Sequence, residues 1–138
     1  MKSPEQLVLA FREAGLKVTP QRQLLFRLLH GNTAHPTAET LYEIASREMP
    51  GISLRTVYQT LTELADMGEI LMVDVGTGSH RFDPNVSGHH RAVCDQCGAV
   101  QDVYVKRTPE PSAPHGFAVN DAHIVYRGQC AECSTRAA

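Results

Sequence analysis

Four cysteines carry the clearest chemistry in this chain, and they fall into two pairs of identical spacing, Cys94 and Cys97 in CDQC and Cys130 and Cys133 in CAEC. Two residues between the sulfurs of a pair let both thiolates reach one ion at about 2.3 Å, and two such pairs close a tetrahedral zinc site with no open position for catalysis. The first 93 residues contain no cysteine, and in a reducing compartment such paired motifs point to metal rather than to a disulfide framework. Because 32 residues separate Cys97 from Cys130, the ion would staple strands of a unit larger than an ordinary zinc ribbon. A redox dithiol, or unrelated buried cysteines, is the competing reading.

A second set offers nitrogen and oxygen instead of sulfur: His35, Asp83, His89, His90 and Asp102. Ligands of this kind suit iron, manganese, zinc or nickel. Taken alone, scattered His and Asp side chains are ordinary solvated surface. His80, His115 and His123 have no supporting context and are read that way. A third set is the segment Ser53, Leu54, Arg55, Thr56, Val57, Tyr58, Gln59. On a helix, Arg55, Thr56 and Gln59 share the face opposite Leu54, Val57 and Leu61, with Tyr58 beside them. Arg and Gln form bidentate contacts to purines, which suits a recognition helix; a solvated helix face is the plain alternative.

These residues need elements to hold them. Ser3-Pro4-Glu5-Gln6 combines a capping residue, a proline at the first helical position and a glutamine at the third, so a first helix begins there and ends near Gly15. Thr19-Pro20 repeats the signature before a leucine stripe, predicting a second helix from Gln21 to His30. A third is expected from Ala38 to Met49, before Pro50-Gly51, and a fourth opens at Ser53 and stops at Gly68. EILMVDV, the turn GTGS and HRFDP then read as a β-hairpin. Helices followed by a hairpin give a winged helix-turn-helix domain over residues 1–83. Residues 84–138 are expected to form a second small domain with strand-like stretches AVQDVYVK and AHIVYRG, and the fold class is α+β. RTPEPSAPHG between those stretches is too rich in proline and glycine for a regular helix.

The chain's 138 residues, 42% hydrophobic and 20% charged, suffice for one or two small domains. A formal charge of -2 excludes a histone-like polycation, so any nucleic-acid binding must use a local patch, supplied by Lys17, Arg22, Arg55 and their neighbours. No apolar run approaches the roughly 18 residues of a membrane span, and MKSPEQ lacks the apolar core of a signal peptide. The expectation is a cytoplasmic protein without a membrane partner.

Together the pieces GLKVTPQR, HPTAETLYEIA, ISLRTVYQTLTELADMGEI, RFDP, HHRAVCDQCG and the final CAEC resemble the Fur family of metal-responsive bacterial repressors, in family order and over nearly the whole chain. The resemblance implies a homodimer on double-stranded operator DNA, with a small C-terminal α/β dimerisation domain and a regulatory metal at the hinge. It makes Cys94, Cys97, Cys130 and Cys133 the structural zinc site. It makes His35, Asp83, His89 and Asp102 regulatory ligands, Tyr58 a base-contacting residue and Lys17 a minor-groove residue. Aspartate in RFDP together with Asp102 is similar to the peroxide-sensing PerR branch and its catalase-regulator relatives. There, bound iron reacts with peroxide and oxidation of a histidine ligand releases the repressor, which would place the lesion on His35 or His89.

Three positions depart from that pattern. Arg91 stands where the branch has a histidine ligand, and a guanidinium cannot ligate a cation, so the site loses a ligand or recruits His90. The proline-rich stretch from Arg107 to Pro114 replaces a common interface helix, and TVYQ replaces the frequent TVYR, where Gln59 would favour adenine over guanine. The expected function is therefore a metal-dependent repressor of oxidative-stress genes, not an enzyme, carrying structural zinc and regulatory iron or manganese. The alternative within the family is an iron-, manganese-, nickel- or zinc-responsive uptake regulator. Outside it stand a CxxC redox protein, a metal-stabilised module that binds no DNA, and a zinc hydrolase, for which the chain offers no HExxH-like motif.

Overall fold

The computed structural model describes residues 1–112 and 116–136, and divides them into a unit spanning residues 1–86 and a second that begins at Ser87. His115 and part of the proline-rich stretch lie outside the described residues.

The first unit holds four helices, α1 (Pro4–Glu13), α2 (Pro20–Leu29), α3 (Ala38–Glu48) and α4 (Leu54–Asp66), followed by the strands β1 (Leu71–Val73) and β2 (Arg81–Asp83). Each helix starts on a hydroxyl cap. Ser3, Thr19, Thr37 and Ser53 accept the backbone N–H three residues on, satisfying donors that the first helical turn leaves without partners. Ser3 and Gln6 form the complete reciprocal box, at 3.2 and 3.0 Å. After α4 the chain turns through Gly68 at φ +73°, a left-handed conformation that a Cβ would strain.

The apolar stripes of these helices converge on one core. Leu7 and Phe11 of α1, Leu24, Leu25 and Leu29 of α2, Leu41 of α3, and Val57, Leu61 and Leu64 of α4 are all essentially inaccessible to water. Phe11 and Phe26 meet edge to face with ring centroids 4.9 Å apart. Each buried leucine contributes roughly 1.5–3 kcal/mol of transfer free energy, and this burial, more than helix propensity, holds α4 at a fixed orientation. The wing pairs Leu71 with Asp83, Met72 with Phe82 and Val73 with Arg81 in antiparallel register. Each of its strands is only three residues long, shorter than the sequence pattern suggests, because Asp74 turns back to accept the Gly76 N–H at 2.8 Å.

The second unit is a three-stranded sheet of order β4-β3-β5, built from β3 (His90–Cys94), β4 (Val100–Val103) and β5 (Val125–Gly128), with a terminal helix α5 (Ala131–Arg136). β3 runs antiparallel to β4 through a tight turn and parallel to β5 after a long connection. Neither β3 nor α5 was expected from the sequence pattern. No helix among the described residues is long and apolar enough to cross a membrane.

Candidate metal centres and nucleic-acid interface

The β3–β4 turn and the start of α5 bring the cysteines together. Gly98 donates to the Cys94 carbonyl at 2.9 Å and Cys94 donates to Ala99 at 2.9 Å, so the CDQC segment is a closed knuckle. The Asp95 N–H then reaches the Gly128 carbonyl at 2.8 Å, joining this knuckle to the end of β5 and so to Cys130. All four Sγ atoms lie within 4.8 Å of one another. The Cys97 and Cys130 sulfurs are 3.7 Å apart, against an edge of about 3.8 Å for a tetrahedron with 2.3 Å zinc–sulfur bonds. Backbone N–H groups of Cys130 and Cys97 hold the Cys94 thiol down at about 6, whereas the neighbouring thiol of Cys130, with burial, pushes Cys133 up to about 12. Four thiolates cannot coexist here without a cation, and the soft donor set and tetrahedral edge fit zinc.

The His and Asp residues form one pair in each unit. In the first unit, His35 adopts φ +50° ahead of Pro36, whose carbonyl accepts the Phe82 N–H at 2.9 Å, while Arg81 Nη1 donates to the His35 carbonyl at 3.3 Å. This binds the α2–α3 loop to β2 and leaves His35 Nε2 3.2 Å from Asp83 Oδ2. The other carboxylate oxygen of Asp83 accepts the Asn85 N–H at 2.9 Å. In the second unit, His89 Nδ1 meets the Ser87 carbonyl at 2.6 Å and His89 Nε2 lies 2.9 Å from Asp102 Oδ1. A carbonyl only accepts, so Nδ1 carries the proton, the Ser87 contact fixes the ring, and Nε2 is the nitrogen that could take a metal ion. The tilted ring of Tyr104, 5.3 Å away, covers that imidazole.

On α4, Arg55, Tyr58 and Gln59 are exposed while Val57, Thr60 and Leu61 are buried, which leaves a polar face above the core. Ser53 Oγ caps the helix through the Thr56 N–H at 3.1 Å. The Tyr58 hydroxyl donates to Glu39 Oε1 at 2.5 Å, a bond that raises the phenol's affinity for its proton and lowers that of the carboxyl. Gln59 Nε2 donates to Glu63 Oε1 at 3.5 Å, and Lys17 is exposed on the α1–α2 loop.

Residues 13–127 match the profile of the Ferric uptake regulator family. The peroxide-responsive repressor PerR of Staphylococcus aureus is 34% identical over 136 residues, covering 96% of this chain and 92% of that protein. A zinc-bound manganese uptake regulator superposes with a TM-score of 0.70 at 29% identity, over 94% of this chain and 99% of that one. The ferric uptake regulator Fur of Helicobacter pylori, described as having three functional metal-binding sites, gives 0.72 at 19% identity, over 94% and 90%.

The chain belongs to the Ferric uptake regulator family.

The structure places two of the candidate site residues elsewhere. His90 does not join His89 and Asp102, because β3 pairs Arg91 with Asp102, and His90, next along the strand, points to the opposite face. Its Nδ1 accepts the Ile124 N–H at 3.0 Å and its Nε2 faces Thr108 Oγ1 at 3.5 Å, so the Nδ1 lone pair is already used and Nε2 carries the proton. Arg22 does not add to an exposed basic patch with Lys17 and Arg55. Its guanidinium is buried, donating to the Lys17 carbonyl at 2.7 Å and pairing with Glu63 at 2.7 Å. Arg91 is buried too, with Nη1 3.4 Å from His123 Nδ1. Burial first, and then the Arg91 charge, holds the His123 imidazole below the usual histidine range. Sequence reasoning missed Glu39 and Glu63. The i,i+4 spacing of Gln59 and Glu63 was the available signal for one, and nothing local announced the other.

Proposed function

We propose that this Fur-family protein is a metal-dependent, DNA-binding transcriptional repressor that senses peroxide, with a regulatory ion drawing ligands from both units. The observation that carries this reading is the pair of His–carboxylate couples, His35 with Asp83 and His89 with Asp102, a hard nitrogen and oxygen set that suits ferrous iron or manganese and is distinct from the cysteine site. The likeness to the PerR protein supports it. An ion that needs both couples has a higher affinity for the arrangement that brings them together. That differential affinity selects one disposition of the recognition helices. Bound ferrous iron would supply peroxide reduction. His35 or His89, losing a ring C–H to gain one oxygen while peroxide leaves as water, would lose its ligand geometry and the repressor its operator.

The partners in this reading are double-stranded operator DNA and a second copy of the chain, acting in the cytoplasm. Support for the second copy is apolar surface in the second unit, where Tyr104, Phe117, Val119 and Tyr126 are each between 45% and 67% exposed. Operator contacts are assigned to Lys17, Ser53, Arg55, Thr56, Tyr58 and Gln59.

The test is operator binding by anaerobic protein loaded with iron, manganese or zinc, before and after brief peroxide, with mass spectrometry of the His35 and His89 peptides. Loss of binding only in the iron form, with one added oxygen at either residue, is the expected result. Peroxide-insensitive binding favours the second reading, a metal-uptake regulator. Arg91, which supplies no ligand, and the likeness to the manganese uptake regulator support that alternative.

A further inference from the structure

We propose that Arg22 is a positioning residue for DNA recognition, setting the Lys17 loop against the recognition helix α4. The inference rests on the DNA-binding reading above. Arg22 occupies the first turn of α2, where its N–H is capped by Thr19 at 3.3 Å, and its side chain turns away from solvent. The fork of the guanidinium is divided between two elements. Nη1 donates to the Lys17 carbonyl at 2.7 Å, and Nη2 pairs with Glu63 Oε2 at 2.7 Å on the third turn of α4. The other Glu63 oxygen accepts from Gln59 Nε2 at 3.5 Å. The Phe11 ring, 5.4 Å from the guanidinium carbon, closes the remaining side.

One buried cation therefore connects the backbone of Lys17 to the side chain of Gln59. These two residues are assigned to different parts of the duplex, the minor groove and a base edge in the major groove. Their relative placement decides whether both contacts form at once. The rigid, planar guanidinium donates to the Lys17 carbonyl with one nitrogen and ion-pairs Glu63 with another at a set separation, which a lysine ammonium does not. Burial also keeps Arg22 from any phosphate, so it influences recognition only through the residues it holds.

Manganese-loaded protein would first select its preferred duplex from a random-sequence pool. That duplex and a scrambled one of equal composition are the probes. Arg22→Lys and Glu63→Gln, each checked for folding by circular dichroism and for zinc content, should lower the ratio of specific to nonspecific affinity about tenfold, the size of one weak base-pair mismatch. The slope of log K against log salt should stay at the wild-type value. Lys17→Ala should cost less in the Arg22→Lys background than in the wild type, since an unanchored lysine has already lost its place.

A slope reduced by about 0.9 in Arg22→Gln, which removes the charge that Arg22→Lys keeps, would make Arg22 a direct phosphate contact and overturn the proposal. Folded variants with the wild-type ratio and additive Lys17→Ala effects would overturn it as well, leaving Arg22 a packing residue. Wild-type protein that selects no sequence from the pool would remove the DNA-binding reading itself, and this inference with it.

Discussion

The Tyr58 hydroxyl donates to the Glu39 carboxylate at 2.5 Å, joining the exposed face of α4 to the first turn of α3. A negative charge thus sits beside the aromatic residue assigned to base contact, where it opposes close approach of phosphate while fixing the ring. Glu39→Gln keeps the shape and removes the charge. Nonspecific affinity should rise, and the slope of log K against log salt should steepen by at most about 0.9, as for one added phosphate contact. A binding isotherm series over salt concentration checks this, and an unchanged slope would place Glu39 outside the interface.

Cys94→Ser should abolish zinc binding and the fold of the second unit together. Three thiolates and a hydroxyl make a poor closed site, and metal-binding free energy is folding free energy in such units. Metal analysis of purified protein and the melting curve report this. Retention of one zinc per chain would sink the four-cysteine assignment.

His35→Ala should leave that zinc untouched and remove the metal response. For an allosteric coupling of the usual size, metal-dependent operator binding falls by roughly 5–150-fold. Operator affinity that still responds to manganese as in the wild type would take His35 out of the switch.

Leu61→Ala should destabilise the first unit by roughly 2–5 kcal/mol, because the side chain is wholly buried where α4 meets the other helices. Urea unfolding should show a lower midpoint at unchanged slope.

Histidine NMR should place the His123 midpoint below the usual value of about 6.5, and Arg91→Gln should move it upward. The native state binds fewer protons at this site than the unfolded chain. The His123 contribution to stability is therefore fully present above the unfolded midpoint and is lost as pH falls through it toward the folded one. A midpoint that does not respond to Arg91→Gln would remove the Arg91 charge as a cause and leave burial and the neighbouring histidines.

Much of the first unit was legible because its signals are local. Ser3, Thr19, Thr37 and Ser53 mark helix starts within three residues of the groups they cap, and the leucine periodicity names the core directly. β3 was not legible, since HHRAVC mixes ligands, a buried arginine and a cysteine without alternation, and becomes a strand only when β4 and β5 pair with it. The cysteine site could be read from spacing alone. The fate of Arg22 could not, because the three groups that bury it come from Phe11, Lys17 and Glu63, on different elements.

The parallel pairing of β3 with β5 carries a consequence for synthesis. Arg91 must find Val125, and Cys94 must find Gly128, so the second unit depends on contacts between distant parts of the chain, whereas the caps and turns of the first are local. Distant contacts form slowly because the intervening chain must be ordered before they stabilise anything. On the ribosome the helical unit has emerged before Cys130 and Cys133 exist. Folding of the second unit, which the four-cysteine site closes, therefore waits on the last residues of the chain and on the zinc that joins them.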